Sequence, residues 1–214
     1  MQVTLINSMG TDQTVVDAAR VSFAKKAENY TEDQNEKLIG YLARHNHWTP
    51  FGHAQATFHI EAPVFVARQL VKHQVGLVWN EVSRRYVDDT PRFFSPPSWR
   101  PRAPDKKQGS DKHDMIPDMR QAWKIYESAI HNISKTYAIL LEMGVAPEQA
   151  RMVLPQSMMT EWYWTGSLAA WSRVCRLRIS DDAQAETEKV AQDISREMKH
   201  LFPISWAALE KNNG

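Results

Sequence analysis

Arg68-Gln-Leu-Val-Lys-His-Gln-Val-Gly-Leu-Val-Trp-Asn-Glu-Val-Ser-Arg-Arg-Tyr86 crowds Arg68, Lys72, His73, Arg84 and Arg85 around Asn80, Glu81 and Ser83. A packed core has no need for that mixture. A site that holds phosphates and a polar heterocycle does. The guanidinium fork of arginine matches phosphate oxygens, and lysine acts as a point charge. Asn, Gln and Glu suit the edge of a base or a flavin, where donors and acceptors lie side by side.

Working outward, Pro63 opens a helix that runs into this stretch as far as Lys72. Before it, Ala56, Phe58 and Ile60 alternate with Thr57, His59 and Glu61, the pattern of a half-exposed strand. Val3–Asn7 reads as a first strand. Asp12–Phe23 reads as a helix with Val15, Val16, Ala19 and Val21 inside. Thr31 and Gln34 form a capping box for a helix carrying Leu38, Ile39 and Leu42. Thr49 and Pro50 suit an N-cap and a first helical residue. After the stretch, residues 88–114 begin rich in Pro and Arg and lack periodicity, so a long surface loop is expected.

The longest helix spans Asp118–Met143 and ends at Gly144. Its Met119, Trp123, Tyr126, Ile130, Ile133, Tyr137 and Leu140 follow a four-three repeat, a heptad seam. That seam suits packing within the subunit or an interface between subunits. Pro147–Leu154 reads as a short helix, Trp162–Thr165 as a strand, and Gly166–Arg178 and Asp182–Leu201 as helices. The order is mixed rather than regular βαβ. This points to the α+β class, a single domain over 1–214 with a mixed sheet flanked by long helices.

Composition narrows the function. With 214 residues and 43% hydrophobic content, a sizeable core is within reach. The net charge of +1 gives no global field that would draw in nucleic acid or membrane. Met1-Gln-Val-Thr-Leu-Ile has no basic region ahead of an apolar run, so no secretory signal is read there. The lone Cys175 excludes an internal disulfide and a cysteine-rich zinc site. Together these point to a reducing cytoplasm, that of the host if the source is viral.

His45, His47 and His53 match no common zinc spacing, and no metal is expected. Cys175 lies between Val174 and Arg176 on an amphipathic helix and reads as a small buried hydrophobe. Ser83 lacks a Gly-x-Ser-x-Gly elbow. No Walker sequence and no Gly-x-Gly-x-x-Gly is present, so anions must be held by side chains: Lys72, Arg84, Arg85, Arg151, Arg173, Arg176 and Arg178. Trp162, Trp164 and Trp171 suit either stacking on a ring system or core packing.

Several motifs in order carry a resemblance. They are Ala18-Ala-Arg-Val-Ser-Phe23, His47-Trp-Thr-Pro-Phe-Gly-His53, Phe65-Val-Ala-Arg-Gln69, Asn80-Glu-Val-Ser-Arg-Arg-Tyr86, Ala150-Arg-Met-Val-Leu-Pro155, and Leu177-Arg178 ahead of Ala183-Gln-Ala-Glu186. The chain resembles the flavin-dependent thymidylate synthases, ThyX. The resemblance implies a ThyX-like α+β fold and conversion of dUMP to dTMP. It implies FAD as cofactor, NADPH and 5,10-methylenetetrahydrofolate as co-substrates, and a homotetramer with shared active sites.

The same resemblance assigns residues. FAD would be held by Ser22, His47, Thr49, Lys72, His73, Gln74, Asn80, Glu81, Ser167 and Arg173. The nucleotide would be held by Gln69, Lys72, Glu81, Ser83, Arg84, Arg85, Arg151 and Arg178. Arg85 and Arg151 are the phosphate ligands of that set, and Arg178 is the catalytic residue set against the uracil ring. Three departures stand out. Lys72-His73-Gln74 replaces the family's Arg-His-Arg, and eight residues rather than seven precede Ser83. Ala169 also falls where some members have an arginine. Two alternatives stay open: a dUMP hydroxymethylase on the same scaffold, and a non-catalytic nucleotide- or RNA-binding protein using Arg84, Arg85 and the basic run Arg100–Lys107.

Overall fold

The computed structural model describes residues 1–25, 29–104 and 109–211. Residues 105–108, which fall in the expected surface loop and in the basic run Arg100–Lys107, lie outside the described residues. Strands β1 (Gln2–Met9), β2 (Gln55–Pro63), β3 (Leu77–Glu81) and β4 (Met159–Ser167) form one sheet in the order β1-β2-β4-β3. The α+β class expected from the sequence is what the structure shows, with the strands paired antiparallel rather than in both senses. The backbone bonds Val64 N–H to Met158 O (2.9 Å) and Leu168 N–H to Ala54 O (2.8 Å) frame the β2–β4 register. Those from Val82 N–H to Glu161 O (3.0 Å) and Ser167 N–H to Gly76 O (3.2 Å) frame β3–β4.

Alternation sets which side chains point inward. On β2, Ala56, Phe58, Ile60 and Ala62 are buried while Thr57, His59 and Glu61 are not. On β4, Thr160, Trp162, Trp164 and Gly166 are the buried set. Strand β3 falls inside Arg68–Tyr86, where the sequence shows no strand pattern. It is a short edge strand, and Asn80 and Glu81 at its end mask the alternation.

The chain groups into two compact units. One comprises Gln2–Ile60, Leu70–Asn80 and Tyr163–Gly214. It contains β1, α1 (Asp12–Arg20), α2 (Glu32–Arg44), α6 (Leu168–Arg178), α7 (Ala185–Leu201) and α8 (Pro203–Lys211). The other comprises Glu61–Gln69 and Glu81–Trp162, with Met1. It contains most of α3 (Val64–Leu70), together with α4 (Met119–Glu142) and α5 (Pro147–Ala150).

In the α6–α7 unit the expected capping box of α2 forms. Thr31 Oγ1 accepts from Gln34 N–H at 3.3 Å, and Gln34 Oε1 accepts from Thr31 N–H at 3.0 Å. Val15, Val16, Ile39 and Leu42 are buried as expected. Val21 is not: it is 72% exposed. The α-helix gives way to a 3₁₀ turn at Val21–Phe23, and the tighter winding turns Val21 off the buried stripe. Trp164 and Trp171 pack edge to face at 4.9 Å, with Phe58 against Trp171 at 5.1 Å. All three tryptophans read as possible ring stackers, Trp162 included, are core residues. Helix α8 has no counterpart in the sequence reading. Its N-terminal amides at Ile204 and Ser205 donate to the Asp12 carboxylate at 3.0 and 2.8 Å, across nearly the whole chain.

In the α4 unit, Asp118 caps α4 by accepting from Gln121 N–H at 2.9 Å, and Gly144 ends it at φ +83°. The heptad seam faces the chain's own loop. Tyr126 donates to Phe94 O, Trp123 Nε1 donates to Pro96 O at 3.3 Å, and Tyr137 is buried. Trp123, Tyr126 and Tyr137 thus pack within the subunit, while Met119, Ile130, Ile133 and Leu140 are half-buried. The loop beginning at Asp88 is tied down where Phe94 N–H meets Ser157 O (2.8 Å) and Met159 N–H meets Arg92 O (2.7 Å).

Candidate active site

Within the α6–α7 unit, the chain leaves α3 at Leu70 and turns sharply. His73 N–H bonds Leu70 O at 3.0 Å and Leu77 N–H bonds Gln74 O at 3.1 Å. Gly76 completes the turn at φ +75°, a left-handed conformation that disfavours a side chain. A Cβ there would also lie 3.2 Å from Ala170 Cβ and 3.4 Å from Ser167 Oγ. Ser167 is the N-cap of α6, its Oγ accepting from Ala170 N–H at 3.3 Å. The start of α6 and the Lys72–Gly76 turn are thus locked side by side.

That lock brings α6 arginines onto the turn. Arg173 Nη2 donates to Val75 O at 2.7 Å. Arg178 Nε donates to His73 Nε2 at 2.9 Å. An imidazole nitrogen that accepts carries no proton, so neutral His73 holds its proton on Nδ1. Burial lowers the His73 pKa first, and the charges of Arg178 and Arg173 lower it further. Burial also lowers the Arg178 pKa, yet a guanidinium stays charged in a protein. The result is a patch in which two fixed cations act on one neutral ring.

Other expected residues of this unit lie on the same turn and on three other segments. Lys72, Gln74 and Asn80 are exposed. Ser22 sits exposed on the 3₁₀ turn after α1. Arg20 fixes that turn: Nε and Nη2 both donate to Asn35 Oδ1 (3.2 and 2.9 Å), and its guanidinium lies 3.3 Å over the Tyr30 ring. His47 meets Tyr41 edge to face at 5.9 Å. Thr49 holds the N-cap position before Pro50–Gly52, but its side chain makes no capping bond.

The remaining expected residues lie in the α4 unit. Glu81 Oε1 accepts from Thr160 Oγ1 at 2.7 Å. Ser83 Oγ accepts from Arg85 N–H and Arg85 Nε, each at 3.3 Å. Arg84 turns to Asp89, donating through Nη1 to its backbone and carboxylate oxygens, and its side chain is 12% exposed. Arg151 is exposed and donates through Nε to Glu148 O at 3.2 Å. Gln69 is half-buried on α3. Arg85 and Arg151 are both exposed residues.

Cys175 is buried, and Sγ donates to Ala191 O at 3.5 Å. Burial pushes its thiol far up the scale. It is the small buried hydrophobe that the sequence suggested.

Sequence reasoning missed Thr160, Asp89 and the Arg20–Asn35–Tyr30 clamp. Thr160 had a visible signal: it is the one polar side chain in the inward register of β4. Asp89 and the clamp had none, because their partners are set by tertiary packing.

Fold and site together describe an α+β protein with cationic, hydrogen-bond-rich surfaces. Residues 4–204 match the family model described as thymidylate synthase complementing protein, and the chain belongs to that family. It is 40% identical over 207 residues to the flavin-dependent thymidylate synthase of Thermosipho africanus, covering 97% of this chain and 90% of that protein. It is 38% identical over 210 residues to a flavin-dependent thymidylate synthase of Thermus thermophilus, covering 98% and 76%. Among solved structures, the UMP/dUMP methylase PolB from Streptomyces cacaoi bound with 5-Br dUMP superposes with a TM-score of 0.88 at 31% identity, covering 98% of this chain and 94% of that one. No helix among the described residues is long and apolar enough to cross a membrane.

The donor set fits a flavin cofactor. Exposed Lys72 and the Nδ1–H of His73 lie on the turn and Arg173 reaches it from α6, donors of the kind an electron-rich ring edge and a diphosphate require.

Proposed function

We propose that this protein is a flavin-dependent thymidylate synthase that converts dUMP to dTMP in the cytoplasm. It would use FAD as cofactor, with NADPH as reductant and 5,10-methylenetetrahydrofolate as the one-carbon donor. Residues 1–214 serve as one catalytic domain, and the working form is a homotetramer with shared sites. The observation that carries the reading is the Arg178–His73 hydrogen bond in a chain whose family match spans residues 4–204.

Uracil C5 is a poor nucleophile. Adding a thiolate to C6 is one way to activate it, but Cys175 is buried and holds its proton. The protein instead polarises the pyrimidine. Arg178 stabilises the negative charge that the polarised ring holds on its N3–O2 or N3–O4 edge, which makes C5 electron-rich enough to attack, the role of a preorganised cation. Its Nε is tied to His73, so its orientation is set before substrate arrives. Arg85 and Arg151 clamp the phosphate, with Ser83, Gln69 and Arg84 completing the nucleotide set. Glu81 aligns the nucleotide and cofactor rings. Ser22, His47, Thr49, Lys72, His73, Gln74, Asn80, Ser167 and Arg173 hold the cofactor. When bound, FAD supplies the carrier for the methylene and the hydride.

The test is spectroscopic and chemical. Purified protein with added FAD should show bound-flavin absorbance that NADPH bleaches. With dUMP and the folate it should release a product with the mass of dTMP. Protein that takes up no flavin, or a hydroxymethylated product, would overturn the reading. UMP run in parallel defines the sugar preference, given the UMP/dUMP description of the solved relative.

A further inference from the structure

We propose that Thr160 is a positioning residue for this reaction, acting through Glu81. The inference deepens the reading above and rests on it for the role of Glu81. Register places the two side chains on one face. Val82 pairs with Glu161, so Glu81 lies opposite Trp162, and Thr160 is two residues along on the same side. Thr160 is 6% exposed, and its neighbours in the inward register of β4 are Trp162, Trp164 and Gly166. A hydroxyl in that row needs an acceptor, because an unmet buried hydroxyl is costly. It finds one in Glu81 Oε1 at 2.7 Å.

The bond constrains Glu81 more than it constrains Thr160. A threonine on a strand is stiff about χ1, and here it is walled in by the sheet. Its hydroxyl is therefore a fixed point. Glu81 ends a short edge strand, is exposed and has several rotatable bonds. Anchoring Oε1 restrains that rotation and helps set the plane in which the carboxylate would meet a ring edge. Thr160 does not need to touch substrate or cofactor to do this. A hydroxyl bound to a carboxylate is a charge-assisted bond, stronger than a neutral pair.

Three variants test the proposal: Thr160→Val, which keeps the shape and loses the donor; Thr160→Ser, which restores the donor; and Glu81→Ala. Each is titrated calorimetrically with dUMP in the presence of FAD, alongside thermal melts. Thr160→Val should weaken dUMP binding about tenfold, as loss of a charge-assisted bond does. Thr160→Ser should restore most of the loss. Glu81→Ala should weaken binding at least as much, and the double variant Thr160→Val/Glu81→Ala should match Glu81→Ala alone. Unchanged binding in Thr160→Val, with Glu81→Ala impaired, overturns the role of Thr160. Unchanged binding in Glu81→Ala overturns the reading of Glu81 instead. If Thr160→Val does not fold, the Thr160→Ser variant decides: near wild-type affinity supports the proposal, and affinity as poor as that of Glu81→Ala overturns it.

Discussion

Arg178 donates through Nε to Nε2 of His73 at 2.9 Å, which joins the last turn of α6 to the turn that follows α3. The bond orients the guanidinium through an acceptor that carries no charge of its own.

Arg178→Ala should therefore fold normally and lose turnover by about 100-fold or more, the scale of removing a preorganised electrostatic donor. Far-UV circular dichroism and dTMP formation measure the two properties separately. Arg178→Lys should recover little, since a point charge cannot both meet His73 and present a planar fork. Near-normal turnover in Arg178→Ala would remove Arg178 from the chemistry.

His73 gives a pH dependence with a defined sign. Its folded pKa is lowered by burial and by Arg178 and Arg173, so the unfolded chain binds the proton more readily. The stabilising contribution is complete above the ordinary value of about 6.5. It is lost as pH falls through the lower folded value, where protonated Nε2 can no longer accept from Arg178. Melting temperature followed from pH 8 downward should fall below about pH 6.5, and the fall should be shallower in His73→Gln. Identical pH profiles would exclude His73 as its source.

Arg151→Ala should weaken dUMP binding about 10- to 100-fold, the scale of a charge-assisted contact, and leave the melting temperature nearly unchanged. The bond it makes to the Glu148 carbonyl lies within its own turn. A dUMP titration with unaltered affinity would remove it from the phosphate clamp.

Cys175→Ala should keep turnover. Burial holds the thiol protonated, so no nucleophile is lost. Deleting the buried sulfur should cost about 1 kcal/mol or slightly more in stability. Loss of turnover without unfolding would reopen a thiolate route.

Gly166→Ala should destabilise by about 1–3 kcal/mol. The added methyl would collide with Leu77 Cδ2 and lie 3.2 Å from two atoms of the Trp171 indole. Those contacts hold β3 against the start of α6, so urea denaturation should show a lower midpoint at unchanged slope. Wild-type stability would mean that β3 shifts freely.

Local signals made much of the fold legible in the sequence. The Thr31–Gln34 capping box, the alternation along β2 and Gly144 at the end of α4 each depend on residues within a few positions of one another. Spacing alone therefore carries the physics. The candidate residues were also legible, because several short motifs in fixed order identify a family without any contact being known. Strand β3 was hidden because a short edge strand needs no apolar alternation, and its partner β4 lies about eighty residues away.

Identity and order were thus the sequence's contribution: which residues are apolar, which can cap, and which motifs follow one another. Tertiary structure decided who meets whom. Asp12 caps α8 at Ile204 and Ser205, Arg84 turns to Asp89, Thr160 meets Glu81, and His73 becomes the acceptor for Arg178. Apart from Arg84–Asp89, each is a pairing between distant segments, and all four are choices among many chemically equivalent partners. A carboxylate or an imidazole will accept from any donor in reach, and only the packed backbone determines which donor that is.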